Sequence, residues 1–262
     1  TWDLGGPTDD PFSVDVYDGL ASAGGTTTDG TLTVTQGKVE GLSLTSFNAD
    51  SKYAQFTDTA IISGLAKMSL GVWFKCTGGS GVRTIVQKDT EYRIAINSSN
   101  YLEAYIYDSG GSAQTVTHSV DMEDSKWHHA TIVWDGSQHL LYVDGILSGT
   151  NAGGTAAVNN NSTSLLIALD YGTSNFMVGN IRDFKIFDYA LSADQISSLY
   201  SGSYNVTPSV WYPMNDDTET TTATIVNEGT GGSITCSAEN AGYTNGTLNL
   251  DGSLTIDAEG TL

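Results

Sequence analysis

The chain has 262 residues, 30 of them acidic and 10 basic, for a net charge of −20. A surface this acidic repels phosphate backbones and anionic headgroups, and no apolar run approaches the ~20 residues of a spanning helix, so nucleic acid and membrane insertion are excluded as expectations. Turn formers and β-branched residues outnumber helix formers, and an apolar share of 39% supports a packed core.

Residues 1–42 are expected to form an N-terminal β arm, whose clearest unit is "DGTLTVTQG" at 30–38. No initiator Met or secretory signal precedes it, so the chain is expected to be processed or to be a piece of something longer. Strict alternation begins at Met68. "MSLGVWFKC" sets Leu70, Val72, Phe74 and Cys76 against Trp73 and Lys75. "EYRIAI" sets Tyr92, Ile94 and Ile96 against Glu91, Arg93 and Ala95. "YLEAYIYD" sets Leu102, Ala104 and Ile106 against Tyr101, Glu103, Tyr105 and Tyr107. "HATIVW", "HLLYV", "SLLIAL" and "RDFKIF" continue the series. Period-two patterning punctuated by Gly, Asn, Ser and Asp predicts an all-β antiparallel sandwich or jelly roll.

Within "WHHATIVWDGSQHLLYVDG", at 127–145, Asp135-Gly136 and Asp144-Gly145 read as turns, because both need a left-handed backbone. "LSADQISSLYSG" is the exception to the β pattern. Ser192 and Gln195 form a capping box, Ile196, Leu199 and Tyr200 an apolar stripe, and Gly202 a C-terminal stop. Residues 204–262 are expected to be a small separate β region, the start of a further module or stem. Its "NGTLNLDGSLTIDAEGTL" repeats the turn-and-strand unit of the N-terminal arm.

Chemistry-bearing residues are few. His128 and His129 are neighbours in a strand, so they face opposite ways and are not expected to share a metal. Asp121, Glu123 and Asp124 in "DMEDSKW" read as a solvated turn. There is no Glu-x-Asp-x-x-Glu string, nucleophile elbow, His-Glu-x-x-His or phosphate loop, so no catalytic residue is expected. Tyr101, Tyr105 and Tyr107 share a face with Glu103. Aromatics with polar tips suit a sugar ring, and the same face suits packing against a neighbouring chain or the terminal arms. Cys76 and Cys236 admit either a disulfide or two buried thiols.

Four stretches together resemble the concanavalin A-like, laminin-G-type jelly-roll family: "LSLTSFNADSKYAQF", "MSLGVWFK", "KWHHATIVWDGSQHLLYVDG" and "GNIRDFKIFDYALSADQISSLY". The resemblance runs over about residues 43–201, which sets a jelly-roll domain at 43–203. It implies a calcium site at Asp183, with Asn48 and Asp50 supplying further oxygens. This chain departs from the family where Phe47-Asn48-Ala49 replaces Phe-Asp-Gly and where Arg182 takes the first acidic position of the closing strand. The resemblance extends to tail and capsid-surface proteins of bacterial viruses. It implies a non-enzymatic virion or extracellular surface component that binds glycans and pairs with other subunits through its terminal β arms. The alternatives are a carbohydrate-binding accessory module of a secreted bacterial enzyme and a ligand-free spacer.

Overall fold

A computed structural model describes residues 53–154, 156–171, 175–202 and 206–212. It also describes shorter stretches at 32–34, 38–40, 43–47, 224–225, 227, 229–232, 234, 236–239, 242–244, 247–249 and 254–256. The strands in chain order are β1 (Leu32–Val34), β2 (Lys38–Glu40), β3 (Ser43–Phe47), β4 (Tyr53–Phe56), β5 (Met68–Cys76), β6 (Arg83–Lys88), β7 (Tyr92–Ile96) and β8 (Tyr101–Tyr107). There follow β9 (Ala113–Asp121), β10 (Trp127–Trp134), β11 (Gln138–Val143), β12 (Ile146–Ala152), β13 (Leu165–Ile167) and β14 (Gly179–Phe187). Helix α1 (Ala193–Ser201) comes next, then β15 (Val210–Tyr212), β16 (Thr224–Ile225), β17 (Cys236–Glu239), β18 (Gly242–Thr244), β19 (Thr247–Asn249) and β20 (Leu254–Ile256).

Two antiparallel sheets face each other. The first runs β12-β11-β10-β5-β14-β3-β18, with β15 also pairing to β14; the second runs β16-β17-β4-β13-β6-β7-β8-β9. The alternation dictates the packing. Leu70, Val72, Phe74 and Cys76 of β5 are fully buried, as are Ala130, Ile132 and Trp134 of β10. They share one core with Tyr92, Ile94, Ile96, Leu102, Ala104 and Ile106 of the second sheet. Each large apolar side chain removed from water in this layer contributes about 1.5–3 kcal/mol. Cys76 is a free buried thiol, which settles the cysteine question against a bridge.

Helix α1 lies on the outside of the first sheet. Ile196 and Leu199 pack with Val133, Tyr142, Phe187 and Leu191 in a second, smaller apolar cluster. The capping box forms as read: Gln195 N–H donates to Ser192 Oγ at 3.3 Å, and Ser192 N–H to Gln195 Oε1 at 2.8 Å. Gly202 closes the helix in the left-handed region at φ 78°. Tyr200, read as part of the apolar stripe, is 41% exposed and stacks on Trp73 instead.

The stretch after residue 203 supplies strands to both sheets. β15 pairs with β14, and Val210 and Tyr212 are fully buried in the main core; β17 pairs with β4 and β18 with β3. The short "VWY" alternates as any sandwich strand does. The terminal units pair with each other within the chain. Leu32 stands opposite Ile256 and Val39 opposite Leu248, each in an antiparallel pair.

A buried polar knot fixes the loops at one end. The Lys88 ammonium meets Glu91 at 2.7 Å, Asp58 at 2.9 Å and the Thr163 carbonyl at 2.8 Å. Ser63 donates to Glu91 at 2.8 Å. Breaking a buried pair strands a charge, so this knot sets where three loops sit more than it adds stability.

Gly179, at φ 148°, opens β14 against β5, and a Cβ there lies 1.8 Å from the Lys75 carbonyl oxygen. Gly179→Ala is expected to cost about 3 kcal/mol or more, read as a fall in the urea midpoint. Gly111→Ala, with nothing within 4 Å of its Cβ, is expected to cost only the ~1–2 kcal/mol of its left-handed backbone.

Candidate functional site

The outer face of the second sheet carries two cross-strand rows. Gln55, Leu166, Gln87, Arg93, Tyr105 and Thr115 stand side by side across β4, β13, β6, β7, β8 and β9. Thr84, Ala95, Glu103 and Thr117 form the next row. Tyr101, Glu103, Tyr105 and Tyr107 therefore lie together on this face, half-buried, while Leu102, Ala104 and Ile106 point into the core.

Arg93 orders the stripe. It donates to Glu103 Oε1 at 2.8 Å, and its guanidinium lies 4.7 Å from the Tyr105 ring centroid. Tyr107 meets Tyr105 edge-on at 5.1 Å. Burial pushes the Tyr105 phenol up to about 12, so it stays a neutral donor across the physiological range. Three polar atoms around this floor lack a hydrogen bond among the described residues: Thr84 Oγ1, Gln87 Oε1 and Arg93 Nε. Gln87 is 6% exposed and Thr84 fully buried. A buried polar atom left unpaired costs about 1–3 kcal/mol. Sequence reading missed Arg93, Gln87 and Thr84 as site residues. Only the pairing register between strands places them beside the tyrosines.

The two histidines take separate partners on opposite faces. His129 packs against Trp73 with ring centroids 5.1 Å apart. His128 Nδ1 lies 2.8 Å from Asp144 Oδ2, and its Nε2 lies 3.2 Å from Asp124 Oδ1. Asp144 and Gly145 both hold positive φ, as the Asp-Gly turn requires, and Asp144 Oδ1 accepts from His129 N–H at 2.8 Å. Around "DMEDSKW", Asp121 and Asp124 accept from backbone N–H groups of Glu123 and Lys126, and Glu123 pairs with Arg83 at 3.4 Å. These carboxylates build the turn.

The outer face of the first sheet is shaped by a bulge. The register of β14 against β5 shifts between Arg182 and Lys185, and Asp183 sits at φ 54°. Ile181 and Phe184 both reach the core, so Arg182 and Asp183 fall in succession on the outside. The Asp183 carboxylate accepts from Trp211 Nε1 at 2.7 Å and from the Lys185 ammonium. Burial works to raise its pKa, but Lys185, Trp211 and His129 together hold it below the usual carboxylate range. The Arg182 guanidinium lies 5.2 Å from the Trp73 ring and 4.8 Å from the Trp127 ring.

The Asp183 carboxylate is thus engaged by an ammonium and an indole. No group of three His, Cys, Asp or Glu converges among the described residues. Asn48 and Asp50, the other expected ligands, lie outside the described residues.

Two antiparallel sheets enclosing one core, with a helix over one of them, define a jelly-roll β-sandwich. A laminin-G-type profile matches residues 48–197, more than half of the chain, which therefore belongs to the concanavalin A-like lectin/glucanases superfamily. A candidate carbohydrate binding protein from Bacteroides ovatus superposes with a TM-score of 0.64 at 14% identity, covering 82% of this chain and 61% of that one. This chain is thus about three fifths as extensive in the match as that protein is long. A heptameric SAP-like pentraxin from Limulus polyphemus superposes with a TM-score of 0.47 at 17% identity, covering 76% of this chain and 94% of that one. The CBM40 of a Ruminococcus gnavus IT-sialidase, bound to α2,3-sialyllactose, superposes with a TM-score of 0.47 at 13% identity, covering 58% and 94%. At such identities the likeness establishes the fold alone. No curated protein matches the chain.

Burial pulls His129 and His139 down to about 4. The unfolded chain takes up those protons near pH 6.5 and the folded chain does not until about pH 4. Stability is therefore expected to fall as pH drops through that window, by up to about 3 kcal/mol for each imidazole. The hydrogen bond that His128 donates to Asp144 raises its pKa, and this contribution is present in acid and lost as pH rises through its folded pKa. Two buried rings outweigh one. Urea melts at pH 7 and pH 4.5 check the direction, and His139→Asn, which keeps a donor for the Gln114 carbonyl, is expected to flatten the slope by about half.

Proposed function

We propose that the chain is a non-enzymatic carbohydrate-binding module whose glycan docks on the outer face of the second sheet. The half-buried row of Tyr101, Glu103, Tyr105 and Tyr107 on that face carries this reading. A pyranose stacks its C–H face on one ring of the tyrosine stripe while its hydroxyls donate to Glu103. Glu103 is tied to Arg93 at 2.8 Å, which suits it to accept hydroxyl protons and not to act as one of a catalytic carboxylate pair. The family membership and the fold of the B. ovatus protein support a lectin-like role.

The setting belongs to the same proposal: an attachment or surface component outside the cell or on a virion, meeting other subunits through its terminal β arms. The −20 charge suits a salt-rich medium, where screening relieves self-repulsion.

A glycan array with neutral oligosaccharides tests the site. Wild type is expected to bind with or without chelator, since no cation enters the contact. Tyr105→Ala is expected to bind about ten-fold more weakly at unchanged melting temperature. Absence of binding to every neutral glycan leaves the spacer reading in its place. Binding abolished by chelator returns calcium to the site.

A further inference from the structure

The chain has three arginines among its ten basic residues. Arg83 pairs with Glu123 and Arg93 with Glu103. Arg182 has no hydrogen bond or ion pair to any described residue, in a chain carrying 30 carboxylates. The nearest carboxylate in sequence, Asp183, is committed to Lys185 and Trp211. The bulge that turns both residues outward thus separates their partners.

What holds Arg182 is aromatic. Trp73 and Trp127 lie 5.2 Å and 4.8 Å from its guanidinium, within cation–π range. Ring contacts of this kind supply no oxygen acceptor to the guanidinium. Its N–H donors match a planar, bidentate acceptor. Arg182 Nε has no acceptor among the described residues, and one further donor is likewise unpaired: the indole Nε1 of Trp127, a residue only 9% exposed. Unpaired donors gathered at one spot call for an anion. Beside them Tyr200, 41% exposed, stacks on Trp73 at 5.6 Å and extends the aromatic surface to solvent.

We propose that Arg182, framed by Trp73 and Trp127, is a binding site for the carboxylate of an acidic sugar, whose ring lies against the flanking aromatic surface. The site is separate from the neutral-glycan face, which lies on the other sheet. The overall charge sets the size of the ligand. Thirty acids repel a polyanion over the Debye length of ~8 Å in physiological salt, so a sugar bearing a single carboxylate is favoured over a uronate polymer.

The test uses the full chain and calorimetric titration with glucuronic acid and with N-acetylneuraminic acid, each beside its methyl ester. One or both acids are expected to bind and to change tryptophan fluorescence, while the esters bind at least ten-fold more weakly. Arg182→Gln is expected to lose at least ten-fold in affinity and Arg182→Lys, which keeps charge without the fork, to lose less. Tyr105→Ala, on the other sheet, is expected to leave this affinity unchanged. The proposal is overturned by equal binding of acid and ester, by an Arg182→Gln variant that folds and binds as wild type, or by no binding of either acid. Preferential binding of an acidic peptide such as tetraglutamate overturns it in favour of a protein partner. Should Arg182→Gln fail to fold, the acid–ester comparison on wild type decides alone.

Discussion

Every strand of this sandwich must bury one face, and that requirement leaves only the outer faces for chemistry. The inner faces of β5, β7, β8 and β10 meet in one dry layer, so each polar side chain on those strands is displaced outward or to a rim. Tyr105 and Trp73 therefore stand on opposite sides of the molecule. The constraint is broken at Asp183, where a left-handed residue puts two successive side chains on the same side. A regular strand would have turned Arg182 and Asp183 to opposite faces. The bulge instead places a cation and an anion together and gives each different company.

The rims answer to a different demand, the fixing of loops. Asp144 serves its turn through its backbone and the adjacent strand through both carboxylate oxygens, reaching His128 and the His129 N–H. Lys88 plays the corresponding part at the other set of loops, drawing in Asp58, Glu91 and Thr163. Both are polar clusters at which a catalytic eye would pause. In both, the charged groups are held by their neighbours in ion pairs and hydrogen bonds.

Much of this was legible before any coordinates. Leu70, Val72, Phe74 and Cys76 are buried as their spacing says, Ser192 and Gln195 cap the helix, and the Asp144-Gly145 dipeptide makes its turn. These features depend on contacts close in sequence or on a single period. The row from Gln55 to Thr115 depends instead on the register of six strands, which no local pattern encodes. "VWY" at 210–212 is too short for periodicity to speak, so its membership of the main core emerges only from its pairing with β14. Arg182 stood out in the sequence as a departure from a family pattern. The pair of tryptophans framing it comes from β5 and β10, over fifty residues away, and only the sheet brings them together.

The paired terminal strands have a mechanical consequence. From the sandwich outward, β3 pairs with β18, β2 with β19 and β1 with β20, all antiparallel. Tension drawn through the chain ahead of Leu32 and behind Ile256 acts on the same end of that ladder. It peels the rungs apart one after another, as a zipper opens, and does not shear them all at once. Load reaches the sandwich only at the last rung, since β3 and β18 are strands of its first sheet, so the two outer pairs part before either outer face is disturbed.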